Sequence, residues 1–166
     1  MATMDDLMAA FAGESQANRK YAAFARKAEQ EGFKNIARIF RAIAEAETVH
    51  ALNHFRAAGH IKGTADNLKA AIDGENYEVN TMYPPMLAGA EKEGNKQATA
   101  SFRFALEAEK IHARMYAAAL QALNAGKDAD VGPIWICDVC GHTVEGEPPE
   151  KCPICNAKRE RYVNVR

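Results

Sequence analysis

The feature that most constrains the fold of this chain is an internal repeat, in which short patterns recur at a constant offset along the sequence. The run Ala-Glu-Gln-Glu-Gly at 28–32 returns as Ala-Glu-Lys-Glu-Gly at 90–94, and Phe-Arg at 40–41 returns at 102–103. Both copies are rich in Ala, Glu, Lys, Arg and Leu, which favour the α-helix. Each copy holds two helix lengths separated by a glycine, so the sequence predicts two similar helical hairpins.

The glycines that interrupt this composition set the expected helix bounds. The expected helices are about 4–30, 34–58, 66–73, 75–93 and 95–124. The shortest of them lies in a crossover over 59–74 that joins the two hairpins. Two hairpins with one apolar stripe each can bury these stripes against each other as a four-helix bundle, and a single long crossover is typical of ferritin-like bundles.

The two copies differ in length by a single position in the third long helix. The stretch from Glu75 to Tyr83 is one position longer than the corresponding stretch from Glu14 to Tyr21. Two consecutive prolines follow the second tyrosine, and each of them removes an N–H donor from the helix. The extra residue and the prolines predict a kink or a π-bulge near 78–84.

Composition separates a helical part from a different C-terminal part. We expect a bundle domain over 1–126, a linker over 127–133 and a small metal-binding domain over 134–166. All four cysteines lie in the last of these ranges. A segment of that size cannot build a sufficient hydrophobic core, so a bound metal must stabilise it.

Charge and hydropathy exclude several classes of protein. The chain has 21 Lys and Arg against 22 Asp and Glu, a net charge of −1, so we expect no nucleic-acid binding. No apolar run approaches the ~20 residues that span a bilayer, so we expect no membrane segment. The N-terminus is acidic and lacks the basic region of a secretory signal, which predicts a cytoplasmic protein.

Carboxylates and histidines recur in the repeat at spacings typical of a dinuclear metal site. Two of the helices each carry a Glu-x-x-His motif, whose side chains share one helix face and can bind one ion. The other two long helices offer glutamates at matching positions. The seven candidate ligands are Glu14, Glu47, His50, Glu75, Glu78, Glu109 and His112. The pattern predicts two ions bridged by carboxylates, and both iron and manganese accept this mixed ligand set.

The cysteines form two Cys-x-x-Cys pairs in the C-terminal part of the chain. They are Cys137, Cys140, Cys152 and Cys155. Four clustered thiolates predict one tetrahedral site, which zinc or iron can occupy, and the spacing alone does not choose between these metals. We expect His142, which follows the first pair, to lie at the surface.

Together these motifs resemble the rubrerythrin family over essentially the whole chain. The resemblance rests on the sequences at 13–15, 74–78 and 82–84, on the two Glu-x-x-His motifs and on the four-cysteine tail. It implies an all-α, ferritin-like four-helix bundle with a C-terminal rubredoxin-like domain. It also implies that the seven carboxylate and histidine residues ligate a di-iron centre and that the four cysteines bind a single iron.

Two details of individual residues follow from the same resemblance. One iron in this family moves between a carboxylate and a histidine as its redox state changes, and the matching residues here are Glu78 and His50. Asn156 stands where many rubredoxin sequences have glycine after the last cysteine. That position is expected to need a left-handed backbone, which asparagine tolerates.

The function that the resemblance implies is a non-haem peroxidase that reduces hydrogen peroxide to water and protects against oxidative stress. A diferrous pair gives two electrons at once, and the thiolate-bound iron then reloads the pair. No Gly-x-Gly motif occurs in the chain, so NAD(P)H-linked electrons require a separate reductase or a rubredoxin. The resemblance also implies a head-to-tail homodimer, or a higher homo-oligomer, that forms the donor and acceptor pair between subunits.

Three other classes of function stay open from the sequence. A ferroxidase or iron-storage protein also uses a ferritin-like bundle, although a four-cysteine appendage has no role there. A non-catalytic binding module would combine the helices with a structural zinc ribbon. A dimanganese or other-metal oxygenase would differ only in the metals that it binds.

Overall fold

The structure is a computed structural model that describes residues 2–165, most of which are helical. The helices are α1 Ala2–Gln30, α2 Lys34–Ala57, α3 Thr64–Tyr77, α4 Tyr83–Lys92 and α5 Lys96–Asn124, with a π-helical segment Glu78–Met82 between α3 and α4. The strands are β1 Ile134–Cys137, β2 Thr143–Glu145 and β3 Tyr162–Val165. The chain divides into two compact units at the boundary between Lys62 and Gly63. The domain bounds expected around 127–133 stay a prediction.

The first unit is a hairpin of α1 and α2. Gly32 ends α1 with a φ of +88°, and the next N–H, that of Phe33, bonds back to the carbonyl of Ala28 at 2.8 Å. The side chains buried between the helices are small, which lets the two backbones approach closely. These residues are Ala25, Ala28, Ala37, Ala44 and Ala51.

One buried polar residue, Asn18, ties the two helices of this hairpin together. Its amide nitrogen donates to the carbonyl oxygen of Ala44 at 2.6 Å and to the hydroxyl of Thr48 at 2.7 Å. Its side-chain oxygen accepts from Nε of Arg19 at 2.6 Å. Asn18 is therefore satisfied although only 6% of its surface is exposed, and it fixes the register of α1 on α2.

The second unit begins with α3, which differs from the expected crossover. The short helix predicted over 66–73 and the helix predicted to begin at 75 are one continuous helix, and only the residues between α2 and α3 are irregular. Gly74 lies inside α3 and does not interrupt it. An interior glycine costs only about 1 kcal/mol relative to alanine, which the packing of α3 on α5 offsets.

The predicted π-bulge is confirmed in the segment Glu78–Met82. The N–H of Tyr83 donates to the carbonyl of Glu78, five residues earlier, so one extra residue is accommodated in this turn. Pro84 and Pro85 follow in the first turn of α4. Each proline lacks an N–H donor, and both lie directly after the π turn, where the regular hydrogen-bond pattern of the α-helix is already interrupted.

The C-terminal part of this unit is a three-stranded antiparallel sheet in the order β2-β1-β3. Trp135 on the central strand lies opposite Val144 of β2 and Asn164 of β3. The centre of this part is formed by Cys137, Cys152 and Tyr162 rather than by a large aliphatic cluster. Among residues 2–165, no helix combines the length and the apolar character that a bilayer-spanning segment needs.

Candidate metal centres

The four cysteines are gathered as predicted, and all four Sγ atoms lie within 4.8 Å of one another. The Sγ–Sγ distance is 3.7 Å between Cys137 and Cys155 and 3.4 Å between Cys140 and Cys152. A tetrahedral ion with metal–sulfur bonds of about 2.3 Å separates its sulfur ligands by about 3.8 Å. The cysteine cluster therefore has the size that one four-coordinate ion requires.

The two Cys-x-x-Cys turns have the same backbone structure. The carbonyl of Cys137 accepts from the N–H of Gly141, and the carbonyl of Cys152 accepts from the N–H of Asn156, both at 2.9 Å. Gly141 has a φ of +80° and Asn156 a φ of +61°. The left-handed backbone predicted for Asn156 is confirmed, and this is the only non-glycine residue with positive φ in the described part of the chain.

Hydrogen bonds prepare one of the sulfurs to be a thiolate before a metal binds. Burial alone raises the pKa of the Cys152 thiol, but the hydroxyl of Tyr162 and the N–H groups of Cys155 and Ile154 outweigh it and lower this pKa to about 6. Burial raises the pKa of Cys140 far above its usual range. A cation at the centre of the cluster compensates the negative charge that these sulfurs must carry as ligands.

The expectation that His142 lies at the surface is wrong. Only 7% of the residue is exposed, and burial, with a smaller effect of His112, lowers its pKa. Its Nδ1 lies 2.7 Å from the hydroxyl of Tyr162. Because this phenol donates its one proton to Cys152, the neutral imidazole donates Nδ1–H to the phenol oxygen. A histidine beside glycine in a short loop carries no sequence signal for such burial.

The first group of carboxylates lies in the α1–α2 hairpin. One oxygen each of Glu14 and Glu47 and one ring nitrogen of His50 lie within 4.8 Å of one another. Nδ1 of His50 is 2.8 Å from Oε2 of Glu47. The Glu47 side chain is 15% exposed, whereas that of His50 is 55% exposed. Asn18 is one turn after Glu14, so the bridge between the helices lies beside these ligand atoms.

The second group lies between α3 and α5 and consists of Glu75, Glu109 and His112, again with ligand atoms within 4.8 Å. Nδ1 of His112 is 2.6 Å from Oε2 of Glu109 and 4.0 Å from Oε2 of Glu75. Burial, a hydrogen bond to Glu109 and repulsion from that carboxylate raise the pKa of Glu75 to about 7. Two carboxylates that repel each other beside an imidazole form a donor set suited to a divalent cation.

Glu78 is the one candidate ligand outside these two groups of three. It begins the π-helical segment, and burial followed by repulsion from Glu109 raises its pKa. Burial, followed by the charge of Glu78, also raises the pKa of Tyr83. The roles of the seven residues as ligands, and the exchange of an iron between Glu78 and His50, stay predictions.

Sequence reasoning missed Thr143, which lies at the beginning of β2. Its hydroxyl oxygen is 2.9 Å from Nε2 of His112 and 3.1 Å from the carbonyl oxygen of Gly141. A threonine two positions before an acidic residue gives no pattern that sequence analysis can use. The contact arises only because β2 packs against α5 in this unit.

Comparisons with known proteins agree over both parts of the chain. A family model described as Rubrerythrin matches residues 5–120, and one described as Rubrerythrin, rubredoxin-like domain, matches residues 135–163. Rubrerythrin-2 of Clostridium acetobutylicum is 40% identical over 174 residues, which cover 96% of this chain and 95% of that protein. Nigerythrin of Nitratidesulfovibrio vulgaris is 37% identical, covering 96% of this chain and 85% of that protein.

Solved structures agree with the sequence comparisons. The structure titled "Fully reduced state of nigerythrin (all ferrous)" is 34% identical to this chain, with a TM-score of 0.57 over 98% of this chain and 86% of that one. The predicted fold class, helical and ferritin-like with a small strand-containing domain that holds four cysteines, is confirmed. The donor sets suit the predicted cofactors, a carboxylate- and histidine-ligated di-iron centre and a single iron bound by four thiolates. The chain belongs to the rubrerythrin family and is an oxidoreductase.

Proposed function

We propose that this protein reduces hydrogen peroxide to water, with the balance H2O2 + 2 H+ + 2 e− → 2 H2O, and so protects against oxidative stress. The observation that carries the proposal is the presence, in one chain, of two carboxylate and histidine groups and a four-thiolate cluster. The di-iron centre, when bound, supplies both electrons, which avoids the hydroxyl radical that a single-electron step would release. The four cysteines would hold a single iron, which would supply one-electron transfer to restore these electrons.

The residues around the carboxylate groups orient the ligands. In the first unit, Asn18 joins α1 to α2 beside Glu14, while Glu47 holds the ring of His50 through Nδ1. In the second unit, Glu109 holds the ring of His112 in the same way. The exposed fraction of the His50 side chain, 55%, leaves room for a small substrate such as peroxide to approach.

A separate protein supplies the electrons in this proposal. The chain has no dinucleotide-binding motif, so an NAD(P)H-linked reductase or a rubredoxin must act as the donor. A cleft of about 520 Å³ lies beside the first cysteine turn and is lined by Cys140, Val139 and part of α5. Val139 is 43% exposed, so a docked carrier protein can approach the sulfur cluster closely.

A cytoplasmic location belongs to the same proposal, because free thiols persist in a reducing compartment.

The proposal also includes a homodimer of head-to-tail arrangement. Helix α2 exposes more large aliphatic side chains than a solvated helix normally carries, which favours burial against another surface. They are Ile36, Ile39, Ile43, Val49 and Leu52, each at least 42% exposed. Sedimentation should give a dimer or a higher oligomer, and a monodisperse monomer with full peroxidase activity would contradict this part of the proposal.

The first experiment is metal analysis and visible spectroscopy of protein purified without oxygen. We expect about three irons per chain, two from the di-iron centre and one from the four-thiolate site, whose ferric form is strongly coloured. Peroxide should then oxidise the reduced protein rapidly, and O2 slowly. Zinc in the four-cysteine site would favour the binding module, and a faster reaction with O2 than with peroxide would favour the ferroxidase.

Two matched variants on the same helix sharpen this experiment. Glu109→Gln removes a carboxylate from the second group, whereas Glu107→Gln changes a glutamate that instead pairs with Lys110 at 2.6 Å. We expect the first variant to lose iron from the carboxylate site and peroxidase activity, and the second to keep both. Equal activity of the two variants would contradict the assignment of Glu109.

A further inference from the structure

His142 and Tyr162 lie together beside the four cysteines, and 7% and 6% of these two residues are exposed. Nδ1 of His142 is 2.7 Å from the phenol oxygen, and the rings meet edge to face with their centroids 5.8 Å apart. The phenol hydroxyl in turn donates to the sulfur of Cys152. A chain of two hydrogen bonds therefore runs from the imidazole through the phenol to one of the four sulfurs.

Main-chain bonds hold both residues in place independently of their side chains. Tyr162 begins β3 and lies opposite Cys137 of β1. The carbonyl of His142 accepts from the N–H of Cys137 at 2.9 Å, and the N–H of His142 bonds the sulfur of Cys140. A substitution of either side chain therefore leaves intact the backbone bonds that shape the first cysteine turn.

The phenol of Tyr162 has one proton and two neighbours that can accept it, the sulfur of Cys152 and a bare Nδ1 of His142. If Nδ1 carries the proton of the neutral imidazole, it donates to the phenol oxygen, and the phenol proton is left for the sulfur. If Nε2 carries that proton instead, Nδ1 competes with the sulfur. Which nitrogen of His142 is protonated therefore determines whether Cys152 receives the hydrogen bond.

We propose that His142 is a positioning residue that directs the phenol proton of Tyr162 onto Cys152 and thereby raises the reduction potential of an iron held by the four cysteines. Reduction adds one negative charge to the thiolate site, so a hydrogen bond to a sulfur is stronger in the ferrous form than in the ferric form. Hydrogen bonds in a chain also strengthen one another, so the bond from His142 adds to the bond from Tyr162.

This role changes how readily the four-thiolate site accepts an electron. One electron reduces the ferric form to the ferrous form, while the phenol keeps its proton and no covalent bond forms or breaks. The electron comes from the carrier protein, so the use of the raised potential rests on the proposed function. The hydrogen bonds themselves do not depend on that function.

The direction of the hydrogen bonds is tested by nitrogen-15 NMR of the full chain loaded with zinc, in which no redox chemistry occurs. Burial lowers the pKa of His142 from its ordinary value of 6.5, so the ring is neutral at pH 8. We expect a protonated Nδ1 and a bare Nε2. A bare Nδ1 with a protonated Nε2 would show that the phenol proton faces the histidine, and would overturn the proposal.

The effect on the iron is tested by spectroelectrochemistry of the iron-loaded full chain. His142→Leu keeps an apolar side chain at this buried position and removes the donor. At a fixed potential it should lower the ratio of ferrous to ferric four-thiolate iron about twofold, a shift of about 18 mV. His60→Leu, which replaces a histidine that stacks on Phe55 in the first unit, is the matched control and should keep the wild-type ratio. A wild-type ratio in His142→Leu would overturn the proposal.

A double variant separates an effect through Tyr162 from a direct effect of His142 on the cluster. Tyr162→Phe alone should lower the same ratio about fivefold, and His142→Leu should then change it no further, because the phenol that it acts through is gone. A twofold effect in both backgrounds would show that the positioning role is wrong. None of these measurements uses peroxide. A protein with the expected potentials that fails to reduce peroxide would refute the proposed function and leave the role of His142 standing.

Discussion

The burial of Glu75, together with its hydrogen bond to Glu109 and the repulsion between these two carboxylates, predicts that the metal-free protein becomes less stable as the pH rises. The pKa of Glu75 in the folded protein is about 7, above its ordinary value of 4.5. Between these two values the folded state holds a proton that the unfolded state has released. The contribution to stability is therefore complete below about pH 4.5 and is lost as the pH rises through about 7.

The size of this effect follows from the same pKa values. At about 1.4 kcal/mol for each pKa unit, the displacement from 4.5 to about 7 has a ceiling of about 3 kcal/mol. The side chain of Glu75 remains 19% exposed, and solvent screening reduces the interaction below that ceiling. We expect the wild type to lose about 1–2 kcal/mol more than Glu75→Gln between pH 5 and pH 8.

The assay is urea unfolding of chelator-treated protein, followed by helical circular dichroism at several pH values. The difference in unfolding free energy between wild type and Glu75→Gln excludes the effect of cysteine titration, because both proteins contain the same cysteines. Glu147→Gln, at an exposed loop position, is the matched control and should follow the wild type. Saturation with zinc should reverse the slope, because the metal binds the deprotonated carboxylate. If the difference in unfolding free energy between metal-free wild type and metal-free Glu75→Gln did not change with pH, the raised pKa of Glu75 would be refuted.

Three further changes have expected outcomes. Tyr162→Phe removes a hydrogen bond to the sulfur of Cys152. This bond stabilises the reduced form of the four-thiolate iron by about 1 kcal/mol more than the oxidised form, so the variant should lower the reduction potential by about 40 mV in spectroelectrochemistry. Asn18→Ala removes two hydrogen bonds between α1 and α2, so urea unfolding should show a loss of about 2 kcal/mol. Deletion of Asn80 should convert the π-helical segment to regular α-helix and rotate Glu78 by about 100° relative to α4. Metal analysis should then show less iron at the carboxylate site, while the colour of the four-thiolate iron persists.

The features that could be predicted from sequence are those fixed by local spacing. Cys-x-x-Cys and Glu-x-x-His bring their side chains together within one turn of chain, so the pairs within each cluster follow from counting residues. The π-helical segment was also predictable, because a register difference of one residue between two copies must be absorbed somewhere. The conformation of Asn156 followed from the family resemblance, because many rubredoxin sequences have glycine at this position and asparagine also accepts a positive φ.

The features that were missed depend on contacts between distant segments. The penalty of Gly74 is small, and packing against α5 decides whether α3 continues through it. The burial of His142 depends on Tyr162, 20 residues further along the chain. The contact of Thr143 with His112 joins residues 31 positions apart. Residue spacing within one helix or strand could identify neither Tyr162 as the partner of His142 nor His112 as the partner of Thr143.

The π-helical segment also marks a difference between the acidic side chains of the two halves of the repeat. Without the extra residue, the helical positions on both sides of this segment would follow those of α1 in one constant register. Glu78 corresponds to Ala17 when α1 is aligned on Glu75, and to Gln16 when it is aligned on Tyr83. The second hairpin therefore has an acidic side chain with no counterpart in the first. The second hairpin thus differs from the first in two ways, by one inserted residue and by one glutamate, and the two halves of the repeat are chemically unequal.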